Sequence, residues 1–144
     1  MTSSKLTIVL SSIGVMFSAG LALAATPPAN IKTAQTKIGT VYATTGGMTI
    51  YEFKRDNPQT QVSICTAGCA TLWPPVAAPT GFVPSVPWGT TTRKDGTEQL
   101  TYEGYPLYTW SKDVKPGDVT GQGVKGNWRA ARPGATPLAW TPAQ

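Results

Sequence analysis

"GMTIYEFKRD", residues 47–56, returns 57 residues later as "GYPLYTWSKD", residues 104–113. Each copy opens on Gly, places Tyr four residues on, an aromatic two after that, and Asp three further. Side chains alternate across a strand, so Tyr51 and Phe53 share one face, as do Tyr108 and Trp110. Asp56 precedes Asn57-Pro58 and Asp113 precedes Pro116-Gly117, where each strand must give way to a turn. A carboxylate there accepts backbone N–H bonds and fixes the exit. The phrase therefore predicts a duplicated β protein. Each copy supplies a buried aromatic pair and an Asp that fixes its own half.

The duplication extends outward. Trp73 is answered by Trp128, and the phrases that follow, "WPPVAAPTGF" and "WRAARPGATP", are alike; Trp88 is answered by Trp140. "TVYATTGGMTIYEFK" is two short strand-forming runs around Gly46-Gly47, a tight-turn signal. Between Trp88 and Trp110, Thr-rich and Tyr-rich runs alternate with turns at Lys94-Asp95-Gly96 and Glu103-Gly104, which predicts a meander. "CTAGCATLW", residues 65–73, reads as a short helix stopped by Pro74-Pro75. "PPVAAPTGFVPSVP", residues 74–87, should be extended and irregular, lying across the core with Val76, Phe82 and Val83 buried. The expected fold is mostly β: one compact domain of two intertwined β-hairpin/meander repeats, about 38–87 and about 88–144, with a short helix near the cysteines.

At the N-terminus, one Lys, an apolar run from Leu6 to Leu23 and the small-x-small site Ala22-Leu23-Ala24 read as a signal peptide over residues 1–24. Cleavage near Ala24 leaves residues 25–144 as a single secreted domain, periplasmic or extracellular, with no stable membrane anchor. Charged residues are 13% of the chain, about half the usual share, and 15 Gly and 13 Pro make it turn-rich. The formal charge of +5 is scattered, with basic pairs only at Lys54-Arg55 and Arg93-Lys94. That is no nucleic-acid footprint. The chain has no His, which removes the commonest general base and metal ligand.

If Asp56 and Asp113 came together, they could act as acid and base or hold a hard cation. "DNPQTQ" and "DVKPGDV" are thin for calcium, which gathers several oxygen ligands in one loop.

These features resemble a bacterial family of secreted repeats, predicted lipoproteins and secreted proteins that carry a Tyr-x-[Phe/Trp/Tyr]-x-x-Asp motif. The resemblance is carried by "YEFKRD", "YTWSKD", "CTAGCATLWPP", "RKDGTEQLTYEGYPLYTWSKD" and "GQGVKGNW". It implies an extracytoplasmic protein of unestablished biochemical function, and it supplies no catalytic residues. The chain departs from lipoprotein members because no Cys follows the apolar run; the first is Cys65.

Cys65 and Cys69 are the only cysteines. A zinc site needs about four ligands, and a redox dithiol usually has two intervening residues rather than three. Copper would find one Met, Met48, after the signal segment and no His. Nearby cysteines in an oxidising compartment normally pair, so a structural disulfide is expected. No cofactor or metal is expected. The leading expectation is a non-enzymatic envelope or secreted module. Its five Trp and five Tyr would offer exposed rings to a protein or glycan partner. The alternatives are a small enzyme using Asp56 or Asp113, and an accessory protein in extracytoplasmic electron transfer.

Overall fold

A computed structural model describes residues 25–134 and 137–140; the expected signal segment lies outside the described residues. The chain is mostly β, in two sheets. Strands β1 (Ile31–Thr36) and β2 (Gly39–Thr44) form an antiparallel hairpin. Strand β3 (Tyr51–Phe53) follows, then helix α1 (Gly68–Leu72). The meander is β4 (Trp88–Thr92), β5 (Glu98–Tyr102) and β6 (Tyr105–Tyr108), and β7 (Trp128–Ala130) closes the order. The five-stranded sheet runs β4-β5-β6-β3-β7.

The two sheets are related by hydrogen bonds that the sheet order alone does not convey. Hairpin β5–β6 pairs near its turn, at Thr101–Pro106 and Tyr102–Tyr105. Further along, the strands are prised apart by residues 74–78, which follow Trp73. Val76 N–H donates to Leu107 O, and Val76 O accepts from Leu100 N–H. The first half repeats the construction. Ala43 bridges Thr49 beside the glycine turn, and β2 and β3 then part around the segment that follows Trp128. There Ala131 N–H donates to Ile50 O, and Ala131 O accepts from Tyr42 N–H. Each opened hairpin is thus filled by the segment that follows the Trp of the other copy. An edge left by one half is satisfied by the other, so the repeats are intertwined.

The linker after Ala78 departs from expectation in one respect. Val76 is buried and Phe82 packs on the core, but Val83 is 78% exposed and Val86 91%. Proline-imposed turns leave both side chains facing solvent.

Candidate functional site

The antiparallel pair β3–β6 has Tyr51 directly opposite Tyr108. The exit of each strand therefore lies beside the entry of the other. This placement decides what the repeated phrase does. Tyr108 Oη donates to Asp56 Oδ2 at 2.5 Å, and Tyr51 Oη donates to Asp113 Oδ2 at 2.6 Å. Each Tyr binds the Asp of the other copy, not its own. The second carboxylate oxygen does the local work: Asp56 Oδ1 accepts from Ile64 N–H, and Asp113 Oδ1 accepts from Thr120 N–H and Oγ1. The expectation that each Asp fixes only its own half therefore needs correcting. Each fixes its own loop and the strand of the other copy at once.

The opening glycines are crossed as well. Gly47 and Gly104 have positive φ, +91° and +84°. A Cβ on Gly47 would lie 2.7 Å from Pro116, and one on Gly104 would lie 2.2 Å from the Pro58 carbonyl. Only glycine serves there, for both its backbone conformation and its close approach. The proline after each Asp is seated on the glycine that opens the opposite phrase.

The aromatic rings complete the centre. Phe53, Trp128, Trp73 and Trp110 form one continuous stack with successive centroid separations of 4.4, 3.6 and 3.9 Å. Trp73 and Trp128, the repeat-equivalent pair, lie face to face at the middle with their planes 2° apart. Tyr51 meets Trp73 edge-on, and Tyr108 meets Trp128 edge-on. Again the copies alternate: Phe53 lies on the Trp of the second copy, and Trp110 on that of the first. Trp88, Tyr42 and Tyr102 form a second ring cluster. The sequence suggested rings to spare for an exposed stacking surface. Instead four of the five Trp and four of the five Tyr are buried, and only Tyr105 and Trp140 are half-exposed.

The two centres differ in their surroundings. Around Asp56, Tyr108 Oη also meets Ser63 Oγ at 2.7 Å. Arg93 reaches Ser63 Oγ, Gln99 Oε1 and Cys65 O. Burial raises the Asp56 carboxyl above its ordinary value, against the Ile64 and Tyr108 hydrogen bonds and the Arg93 charge. Burial first, then the neighbouring Asp56 charge, raises Tyr108 as well, so its phenol stays protonated. Around Asp113, the hydroxyl of Tyr51 accepts Gly121 N–H at 3.2 Å. A Cβ on Gly121 would come within 2.7 Å of the Tyr51 ring, so the backbone closes down on the phenol there. No group of three or more His, Cys, Asp or Glu among the described residues could hold a metal ion.

Cys65 and Cys69 form a disulfide across the start of α1, beside the Asp56 centre. Between α1 and the β4–β5 turn lies an open groove of about 510 Å³, lined by Val62, Ser63, Thr66, Thr71, Arg93 and Lys94 among others. Sequence reasoning missed this groove because Arg93-Lys94 read as one of two scattered basic pairs. Sequence reasoning also missed a buried ion pair, Glu52–Arg129, at 2.6 Å. Burial pushes the Glu52 carboxyl up to about 7 despite the Arg129 charge. Arg129 in turn lies under the Trp140 ring, 4.1 Å from its centroid. Alternation put Glu52 opposite the Tyr51 face, and that was the available signal; its partner, 77 residues away, carried none.

No helix among the described residues is long and apolar enough to cross a membrane. Comparison with curated proteins and with solved structures finds no match. A family model described as a secreted repeat of unknown function matches twice, at residues 32–77 and 89–132, one match on each crossed half. The chain belongs to this family of secreted repeats.

Proposed function

We propose that the protein is an exported, non-enzymatic binding module that takes an extended peptide of a partner protein into the groove between α1 and the β4–β5 turn. One observation carries this reading. The motif carboxylates and most of the aromatic rings are engaged inside the fold, whereas the groove is lined by the exposed Thr66, Thr71, Thr92, Lys94 and Asp95, and by Arg93, whose guanidinium is held by Ser63, Gln99 and the Cys65 carbonyl. Its lining has no aromatic ring on which a sugar would stack, which favours a peptide over a glycan. The alternative, a small enzyme using Asp56 or Asp113, needs a carboxylate free to exchange a proton with a bound ligand. Both carboxylates are buried, and each accepts a Tyr hydroxyl of the other copy and a backbone N–H of its own loop, which favours the binding reading.

The test is fluorescence polarisation of a library of extended peptides and of soluble cell-wall glycan fragments. Wild type is compared with Thr71→Trp, which fills the groove. Peptide binding that Thr71→Trp abolishes without moving the melting temperature is the expected result. Equal peptide binding by both proteins, or glycan binding alone, overturns the assignment.

A further inference from the structure

We infer that the peptide taken by the groove binds as an added strand, antiparallel to β4 on its open edge, with an acidic side chain beside Arg93 and Lys94 and a basic one four residues on, beside Glu103. This mode of binding rests on the groove being a peptide site and names how the peptide is held. The open edge follows from the alternation of an antiparallel ladder. Arg93 N–H donates to Thr97 O at one end of the β4–β5 pair, and Glu103 N–H donates to Pro87 O at the other. Residues 87, 89, 91 and 93 therefore turn their backbone groups toward β5, and Trp88, Thr90 and Thr92 turn theirs away. Trp88 is satisfied on that side: its N–H donates to Ser85 O, and its O accepts from Ser85 N–H. Thr90 and Thr92 are not. β4 is the end strand of its sheet, and among the described residues no backbone bond reaches them from outside. Their N–H and C=O groups, repeated at a two-residue spacing, fit the backbone of an extended chain.

The other outer strands are covered or blunted. Along β7, Trp128 O accepts Gly123 N–H, and Ala130 N–H donates to Gln122 Oε1. β1 carries the exposed Lys32, a charge that discourages pairing. β4, "WGTTT", has no charge, no proline and an unbroken register, so it carries none of these protections. A hollow lies at each end of it. The groove is at the Thr92 end. At the Gly89 end is a second hollow of about 430 Å³, lined by Gln61, Val86, Pro87, Gly89, Glu103 and Gly104 among others. Both involve the same face of β4. A Cβ on Gly89 would lie 3.5 Å from Gln61 Oε1 of the second hollow, and the Arg93 side chain reaches Ser63 of the groove. Residues opposite one another in an antiparallel pair point to the same face. Peptide residues opposite Arg93 and Gly89 thus address the two hollows, about 13 Å apart along the strand.

Charge sets the direction. At the groove, Arg93 is held by neutral acceptors and Lys94 is exposed, while the Asp95 carboxylate is occupied by Thr97 N–H and Oγ1. At the second hollow the exposed charge is Glu103. Glu103 has a φ of +50° in the β5–β6 turn, where Asn or Gly is the ordinary choice. Strain kept beside a hollow points to a role for that carboxylate in recognition. An antiparallel peptide therefore presents its acidic residue first, opposite Arg93, and its basic residue last, opposite Gly89.

The experiment uses the full mature chain and a capped, fluorescently labelled peptide, Asp-Thr-Val-Thr-Lys. Methylating the backbone nitrogen of its second or fourth residue, opposite Thr92 and Thr90, should weaken binding about tenfold each. Methylating the third, whose N–H faces away from β4, should change nothing. Amide hydrogen exchange at Thr90 and Thr92 should slow when the peptide binds. Replacing the Lys by Glu should weaken binding to wild type but not to Glu103→Gly, a variant that suits the turn and should keep the melting temperature. Binding without the alternation overturns strand addition and leaves the groove a peptide site. An equal loss in wild type and Glu103→Gly overturns the placement of the basic residue. If this peptide does not bind, the tightest library peptide takes its place in the same methylation scan, with the same two readings. No peptide bound at all overturns the groove reading and strand addition with it. Exchange at Thr90 and Thr92 that slows with rising protein concentration alone gives the edge to a second copy, and also overturns it.

Discussion

The Tyr108–Asp56 centre and the Tyr51–Asp113 centre share residue types, hydrogen-bond pattern and edge-on Trp contact. They differ in what stands behind the phenol. Behind Tyr108 are Ser63, an arginine reaching three acceptors, a disulfide and an open groove. Behind Tyr51 are a glycine amide and closely packed backbone. Duplication thus preserved the part that holds the halves together, while the periphery of one copy became a surface and that of the other became filling. A residue kept in both copies does structural work here, and one present in a single copy is the better place to look for recognition.

The comparison is sharpened most by the shared rings. Trp73→Ala and Trp128→Ala each open a cavity at the middle of the stack and should cost about 3–5 kcal/mol in urea denaturation. The double variant should cost less than the sum, because the rings are each other's partners. A large difference between the single variants would break the pseudo-symmetry.

Next come the crossed carboxylates. Asp56→Ala and Asp113→Ala should each lose about 1–3 kcal/mol, since buried donors are left unpaired. Double-mutant cycles test the crossing itself. Tyr108→Phe should couple to Asp56→Ala by about 0.5–3 kcal/mol and be additive with Asp113→Ala within about 0.5 kcal/mol. Coupling within a copy rather than between copies would contradict the arrangement.

The disulfide belongs to one centre only. Cys65→Ala with Cys69→Ala opens a loop of four-residue separation, worth about 2 kcal/mol in the chain-entropy model. Thermal unfolding of the double variant, with and without reductant, measures it; reductant should shift wild type alone.

The smallest effect is a pH slope from Glu52, whose counterpart in the second phrase is Thr109. Its folded value, about 7, stands above its ordinary 4.5. The folded protein therefore holds the proton more tightly than the unfolded chain. Glu52 contributes stability that is complete below about pH 4.5 and is lost as pH rises through about 7. Across that window wild type should lose stability relative to Glu52→Gln in melting curves; parallel curves would remove Glu52 as the source.

The sequence by itself determined the duplication, the β class, the meander from Trp88 to Trp110, the helix stop at Pro74-Pro75 and the disulfide. Each rests on local chemistry: the alternation of side chains, the conformations glycine and proline allow, and the nearness of two cysteines. The tertiary structure alone decided that Tyr51 meets Asp113 while Tyr108 meets Asp56. A periodic pattern says which residues share a face but not which strand lies opposite. Antiparallel pairing at Tyr51–Tyr108 brought together residues 52 and 62 positions apart. The same pairing drew the surplus rings inward: stacking four of them across the two halves buries apolar surface that neither half could cover alone.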